Sequence, residues 1–247
     1  MKTILLILVV LLFSCSENNK TINTKELSSV SNEIKYQNIL DSIKLYKLKP
    51  FDTLQTHYKL GQLENHKIAD KTIKIFKRDS LNINWIKINS DKYMIDSLKL
   101  INSRTGEASE IMFANSLNKI KLYQFKDDEI LLMQFTSFPC TGLGCSVTDY
   151  IIYSFNKKKL NLFGSFRSEN IDLYNFPLNS DINYIATEYQ GDYHGDTPMH
   201  FISRVYSMNE NGRFYQMKDI NNKDYYYEIT TFPNDTLKEV EYKVNWF

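Results

Sequence analysis

Four apolar runs between residues 120 and 166 constrain the fold of this chain more than any other feature. They are residues 120–126, 130–138, 149–155 and 160–166. Each run is short and rich in Tyr, Phe, Ile and Leu, which favours β-strands over helices. Brief polar segments follow the first and third runs, as is typical of hairpin turns. The runs therefore predict an antiparallel meander of four strands.

Details within these runs predict how the meander is packed. Ile130 to Met133 are apolar without alternation, which is typical of a strand that is covered on both faces. Leu160, Leu162 and Phe166 share one face of the last strand, with Gly164 between them. A glycine inside a strand indicates that another backbone approaches closely.

Two cysteines, Cys140 and Cys145, lie in the long connection between the second and third runs. Metal and redox pairs commonly use a CxxC spacing, and the chain has no second cysteine pair to complete a site. We therefore favour a structural disulfide that closes this connection, although a redox or metal role remains the alternative. By the chain-entropy estimate, so short a ring contributes about 2 kcal/mol.

The first 15 residues predict export and lipidation. Lys2 precedes an apolar run, Ile4 to Phe13, which matches the core of a signal peptide and is too short to span a bilayer. The run ends in Leu12-Phe13-Ser14-Cys15, which resembles the lipobox of bacterial lipoproteins, with Phe13 bulkier than usual. The resemblance implies cleavage of residues 1–14 and acylation of Cys15. An ordinary secretory signal with a chance cysteine is the alternative.

The same resemblance implies a location. Asp commonly follows the cysteine in lipoproteins that the inner membrane retains, whereas residue 16 here is Ser. The resemblance thus favours the outer membrane, with palmitate or similar chains as the anchor. We divide the chain into a signal peptide (1–14), a lipidated cysteine with a tether and helix (15–50), and a β domain (51–247).

One amphipathic helix is predicted at residues 26–47, after a polar tether and before Pro50. Its apolar residues recur at helical spacing and predict the face that packs on the rest of the protein: Leu27, Val30, Ile34, Ile39, Leu40 and Ile43.

Strands are predicted from Phe51 onward, beginning with a strand at 71–77. The apolar alternation changes phase within 81–88, and one such change is what a β-bulge produces. Residues 93–100 show a second change of the same kind. A short helix is the prediction for 107–117.

The order of strand, long connection, strand, tight turn and strand recurs after the central meander, at 184–189, 201–208 and 214–217. A spacing of about fifty residues suggests propeller blades. At the C-terminus, Val240, Tyr242, Val244 and Trp246 alternate with polar residues and predict a docked strand. The predicted class is all-β, mainly an antiparallel meander, sandwich- or propeller-like, with an N-terminal amphipathic helix.

Potential metal ligands concentrate in one segment. Asp192, His194, Asp196 and His200 lie within nine residues, and imidazole with carboxylate suits zinc or another divalent ion. The alternative is a polar loop whose residues serve turn geometry. His57 and His66 stand alone in Lys-rich segments, so we expect both to be solvated.

No HExxH, GxSxG or EF-hand motif occurs in the chain, and we assign no catalytic residue. The 30 Lys and Arg residues nearly balance 29 Asp and Glu residues, which gives no indication of nucleic-acid binding. We therefore expect a lipid-anchored envelope lipoprotein that acts as a binding or structural module for a protein or glycan ligand, without a cofactor. The alternative is a lipid-anchored, metal-dependent hydrolase that uses residues 192–200.

Overall fold

The computed structural model describes eight segments of the chain: 24–57, 62–78, 82–102, 116–136, 147–166, 172–189, 199–231 and 240–247. Within them the chain forms one α-helix, a short 3-10 helix at Ile95–Ser97 and fifteen β-strands. In chain order the elements are α1 (Thr24–Leu45), β1 (Asp52–Gln55), β2 (Leu63–Ile68), β3 (Lys71–Lys77), β4 (Ile83–Ile88), β5 (Asp91–Met94), β6 (Ser116–Phe125), β7 (Asp128–Thr136), β8 (Val147–Ser154), β9 (Lys159–Phe166), β10 (Leu173–Tyr174), β11 (Asn183–Tyr189), β12 (Met199–Met208), β13 (Phe214–Gln216), β14 (Tyr226–Thr231) and β15 (Val240–Asn245).

The strands form three antiparallel sheets in chain order. The N-terminal sheet has the order β2-β3-β4-β5, and the middle sheet has the order β1-β6-β7-β8-β9. The C-terminal sheet has the order β10-β11-β12-β14-β15, and β13 also pairs with β12. Strands that follow each other mostly lie side by side, so each sheet is largely a meander. The predicted all-β class with an N-terminal helix is confirmed, and the four apolar runs form β6 to β9.

The middle sheet packs between the other two. On one face, Leu131, Met133 and neighbouring residues share a core with Ile73 and Ile75 of the N-terminal sheet. On the other face, Ile130 and Leu132 share a second core with the C-terminal sheet. Successive residues of β7 therefore enter different cores, which explains the apolar run without alternation and confirms that this strand is covered on both faces.

Helix α1 covers the outer face of the C-terminal sheet. Ile39 and Ile43 pack there in a third core, and the ring of Tyr36 stacks on Tyr242 of β15 with centroids 4.6 Å apart. Trp246 packs against the same core. The docked C-terminal strand predicted by the sequence is thus confirmed, since β15 pairs with β14 and faces the helix.

The predicted apolar face of the helix is wrong at Val30 and Ile34, whereas the side chain of Leu27 lies outside the described residues. Val30 and Ile34 are 55% and 59% exposed, whereas Ile39 and Ile43 are buried. Consecutive helical residues are about 100° apart, so Ile34 lies about 200° around the axis from Tyr36, which contacts the sheet. Apolar residues therefore occupy two sides of α1, and only one side meets the sheet.

The first predicted bulge is present, whereas the second is not. Phe76 pairs with Trp85 and Lys77 pairs with Ile83, which leaves Asn84 unpaired in β4. After β5 the chain instead enters the 3-10 helix, which shifts the apolar phase without a bulge. Leu100 then bridges Leu162 in parallel, so this segment lies along the edge of β9. The helix predicted at 107–117 falls largely outside the described residues, and Ser116 already belongs to β6.

Short turns gather at one end of the stack, which we call the lower end. The turns at 69–70, 89–90, 126–127 and 155–158 lie there. The ion pair between Lys71 and Glu129, with Nζ and Oε2 2.5 Å apart, ties the N-terminal and middle sheets together at this end. The opposite end of the stack is the upper end, where strands such as β7, β11 and β14 end. The longer connections that follow them, 137–146, 190–198 and 232–239, lie outside the described residues.

Candidate functional site

The structure describes one of the four predicted metal ligands. His200 lies near the start of β12, and its Nδ1 is 2.9 Å from the hydroxyl of Thr230 and 4.0 Å from a carboxylate oxygen of Glu228. Asp192, His194 and Asp196 lie outside the described residues, as do Cys15, Cys140 and Cys145. Among the described side chains, no group of three or more His, Cys, Asp and Glu residues could hold a metal ion. The metal site at 192–200 and the disulfide therefore stay predictions.

His200 belongs to a polar surface on the C-terminal sheet. Strand register places Glu188, Ile202, Glu228 and Lys243 in one row across β11, β12, β14 and β15. The next row toward the lower end holds Ala186, Arg204, Tyr226 and Asn245, and the next toward the upper end holds His200, Thr230 and Glu241. We call these three rows the charged face.

The charged face points to the same side of the sheet as the residues that pack on the middle sheet. Those packing residues are Leu173, Tyr184, Ala186, Tyr206, Met208 and Phe214. They belong to β10, β11, β13 and the lower half of β12. The apolar contact thus ends where β14 and β15 begin, and the sheet continues beyond it with charged side chains.

An ion pair between Arg204 and Glu188 forms the inner part of the charged face. Arg204 donates from an Nη atom to Glu188 Oε2 at 2.7 Å, and the two side chains are only 16% and 12% exposed. The phenol of Tyr206 donates to the other oxygen of Glu188 at 3.4 Å. Burial, and next the charge of Glu188, raise the pKa of Tyr206. The phenol therefore stays protonated and serves as a donor.

Glu228 provides a second carboxylate nearer to solvent. Its Oε1 lies 3.8 Å from the Lys243 ammonium, and the side chain is 21% exposed. Glu188 and Glu228 are two strands apart in one row, so their Cα atoms are separated by about 10 Å. One face of the sheet therefore presents two carboxylate acceptors, the guanidinium of Arg204, the imidazole of His200 and the half-buried ring of Tyr226. Such a face suits a ligand rich in hydroxyl groups.

The prediction that His66 is solvated is wrong. His66 is 7% exposed, and its Nε2 is hydrogen-bonded to Glu64 Oε2 at 2.9 Å. Lys77 of the neighbouring strand is 1% exposed and forms an ion pair with the other oxygen of Glu64. The alternation of β2 turns Glu64, His66 and Ile68 inward together, and this pattern was the available signal. His57 is exposed, as expected.

The Glu64 carboxylate is kept ionised by its two partners. Burial alone would raise its pKa, but the hydrogen bonds from His66 and Lys77 outweigh burial and hold the pKa below its usual value. Buried ion pairs of this kind contribute little net stability compared with apolar residues of similar volume. The cluster lies at the upper end of the core between the N-terminal and middle sheets.

Asp149 of β8 is a second buried carboxyl at the upper end of that core. It is 7% exposed, and burial raises its pKa to about 7. Its Oδ1 lies 3.6 Å from the position that a Cβ atom would take at Gly164, and a Leu100 methyl lies 3.3 Å from the same position. The amide of Asn102 holds this segment, donating to the carbonyl of Gly164 at 2.6 Å and accepting from its N–H at 3.1 Å. The close approach predicted at Gly164 thus comes from side chains, not from another backbone.

No protein-family model matches the chain, and neither a curated protein nor a solved structure matches it. Within the described ranges, no helix combines the length and the apolar character that crossing a bilayer requires.

Proposed function

We propose that this protein is a lipid-anchored lipoprotein of the bacterial cell envelope, located at the outer membrane, whose sheets form a binding module. The observation that carries the anchor is the motif Leu12-Phe13-Ser14-Cys15 directly after an apolar run. Helix α1 begins at Thr24, nine residues after Cys15 (24 minus 15). An extended chain covers at most about 3.5 Å per residue, so the tether holds the start of α1 within about 30 Å of the bilayer.

Acylation of Cys15 is tested by metabolic labelling with palmitate. The Cys15→Ser protein should take up no label and should leave the membrane fraction, because two or more acyl chains are needed for stable anchoring. Cys140→Ser is the matched control and should keep the label. Label that persists in the Cys15→Ser protein would refute the proposal, since the lipid would then be attached elsewhere.

The charged face is the binding surface of this module, and its ligand is an oligosaccharide. Rigid strands hold Glu188, Arg204 and Glu228 in fixed register, so little ordering is needed on binding. Carboxylates accept from sugar hydroxyls, Arg204 donates to them, and the ring of Tyr226 offers an apolar surface for a sugar ring. The pair of Arg204 and Glu188 is partly buried and joins side chain to side chain, which favours a role in recognition.

A printed array of defined oligosaccharides tests this surface. The wild-type protein should be retained by at least one member, and Glu228→Gln should weaken that retention because it removes an anionic acceptor. Glu33→Gln changes an exposed carboxylate of α1, on the other side of the C-terminal sheet, and serves as the control. Retention that is unchanged by Glu228→Gln, or no retention at all, would contradict the assignment of the charged face and leave the lipid anchor untouched.

A further inference from the structure

A cavity of about 560 Å³ lies at the lower end, between the middle and C-terminal sheets. One wall is the turn 155–158 with the start of β9, and the other is the turn 209–213 that joins β12 to β13. We call it the basic groove. Its lining residues are Lys157, Lys159, Asn209, Glu210, Asn211 and Arg213.

The basic groove carries an excess of positive charge. Lys157, Lys159 and Arg213 contribute three cations against the single carboxylate of Glu210. Within the part of the chain that the structure describes, none of these four side chains takes part in an ion pair. Three cations with only one carboxylate among them leave a net positive charge that attracts an anion to the space between them.

Hydrogen bonds fix the wall contributed by the C-terminal sheet. The side-chain oxygen of Asn209 accepts from the N–H groups of Asn211 and Arg213, each at 3.0 Å. The N–H of Asn209 donates to the carbonyl of Arg213 at 2.9 Å, and Gly212 adopts a φ of 75°. The position of the Arg213 backbone is therefore set before any ligand arrives.

The wall contributed by the middle sheet is fixed in a similar way. The N–H of Lys157 donates to the hydroxyl of Ser154 at 3.0 Å, and the N–H of Asn156 donates to Asp128 at 3.0 Å. Ser154 and Asp128 are themselves buried and hydrogen-bonded to each other. A turn that is held by a buried carboxylate keeps the two lysines on the side of the groove.

Direct contacts join the two walls. Asn161 of β9 is 2% exposed, and it donates to the carbonyl of Gly212 at 2.8 Å and accepts from the N–H of Phe214 at 3.3 Å. A Cβ atom at Gly212 would lie 2.7 Å from the Cβ of Lys157, so only glycine permits this approach. The spacing between the lysines and Arg213 is thus part of the folded structure, and a ligand does not have to order it.

We infer that the basic groove binds a phosphomonoester carried on a small polar body. Arg presents a planar fork that matches phosphate oxygens, and Lys binds phosphate as a point charge. The volume falls within the range of about 300–1,000 Å³ that small-molecule sites occupy, which leaves room for more than the phosphate group. Glu210 and the amides of Asn209 and Asn211 suit hydroxyl groups on that body. The body is a sugar or the glycerol of a phosphatidic acid headgroup, and in both the phosphate is a monoester.

Isothermal titration of the full-length chain in non-ionic detergent at low salt tests this inference. The probes are glucose 6-phosphate, glycerol 3-phosphate, inorganic phosphate and glucose. We expect at least one of the two organic phosphates to bind more tightly than inorganic phosphate, and glucose not to bind. Tighter binding of glucose 6-phosphate identifies a sugar phosphate as the ligand, whereas tighter binding of glycerol 3-phosphate identifies a lipid headgroup.

Charge-removing variants locate the site. Lys159→Gln and Arg213→Gln should each weaken the tighter organic phosphate by about fivefold or more, since each removes a charge-assisted hydrogen bond. Lys158→Gln is the matched control, because Lys158 lies in the same turn but pairs with Asp91 at 3.8 Å outside the groove. Equal weakening by Lys158→Gln, unchanged affinity in the groove variants, inorganic phosphate as tight as either ester, or no binding would each overturn the inference. The charged face shares no residue with the groove, and its failure would leave this result unaffected.

Discussion

Replacing Asp149 with Asn should change how the stability of the protein depends on pH. Burial raises the pKa of this carboxyl to about 7, whereas an Asp in an unfolded chain titrates near 3.9. The folded state therefore keeps a proton that the unfolded state has lost between about pH 4 and pH 7. The contribution of Asp149 to the free energy of unfolding is therefore fully present below about pH 4. It falls as the pH rises to about 7 and stays constant above that.

The size of the effect follows from the pKa difference. About three pKa units at 1.36 kcal/mol each amount to about 4 kcal/mol lost by the wild-type protein between pH 4 and pH 8. An amide has no charge to bury, so the Asp149→Asn protein should lack this loss. It should be more stable than the wild-type protein at pH 8, by up to about 4 kcal/mol, and close to it at pH 4.5.

Urea unfolding at several pH values between 4.5 and 8.5 measures this difference. Subtracting the free energies of unfolding of the two proteins at each pH removes the contributions of the other titrating groups. Asp96→Asn makes the same substitution at an exposed position and is the control. Parallel stability curves for the wild-type and Asp149→Asn proteins would show that Asp149 is ionised in the folded state and that the reasoning is wrong.

Two further predictions concern the C-terminus and the cysteines. Truncation before Glu239 should lower the midpoint of thermal unfolding of the whole protein, because it removes β15 and the ring of Tyr242 that stacks on Tyr36; equal midpoints would show that the strand is peripheral. Cys140 and Cys145 should form a disulfide, so thiol counting on the denatured, unreduced protein without residues 1–15 should find neither free, and two titratable thiols would contradict this.

Local patterns allowed most of the sheet elements to be predicted. The strand predicted at 71–77 has the bounds of β3, and the change of phase within 81–88 indicated a bulge in β4, which the structure places at Asn84. Both features depend on side chains that alternate between two faces, and this alternation is visible within a few residues. The same holds for β15, where apolar and polar residues alternate to the end of the chain.

Burial of polar groups could not be predicted in this way, because it depends on register between strands. The two-residue turn at 69–70 pairs Ile68 with Lys71, and this register brings Lys77 diagonally beside Glu64. The hydrogen bond between Glu64 and His66 needs only the alternation of β2, whereas the contact of Lys77 with Glu64 needs this register. The length of the turn at 69–70 fixes the register and so predicts the contact of Lys77 with Glu64. The composition of the segment, which is rich in lysine, instead indicated that His66 is solvated.

The charged face and the burial of Asp149 could not be predicted because they depend on how one sheet packs on another. Nothing in the sequence of β8 separates Asp149 from a residue on an open sheet, since its exposure is set by the layer above it. Likewise, the sequence of α1 shows apolar residues on two sides without indicating which side the C-terminal sheet covers. Both features follow from contacts between residues that are distant in the chain.

Among the buried polar residues, some bond to backbone groups of turns and others bond to side chains. At the lower end, Asp128, Asn161 and Asn183 each bond to backbone N–H or carbonyl groups of turns. Those bonds satisfy groups that burial would otherwise leave unpaired, so these side chains are explained by the fold. At the upper end, Glu64 bonds to the side chains of His66 and Lys77, and no backbone group of a turn needs it.

A buried charge that bonds to no backbone group adds little to the free energy of unfolding, because apolar residues of similar volume would stabilise the same core as well or better. The pair of Arg204 and Glu188 belongs to this second kind, because its contacts are between side chains at 2.7 Å. The turns of the basic groove are held by buried polar residues of the first kind, while none of its cations forms an ion pair with another described residue. Replacing Glu64, His66 and Lys77 together by apolar residues of similar volume should therefore leave the protein folded, with a midpoint of urea unfolding no lower than that of the wild-type protein; a clearly lower midpoint would contradict this reasoning.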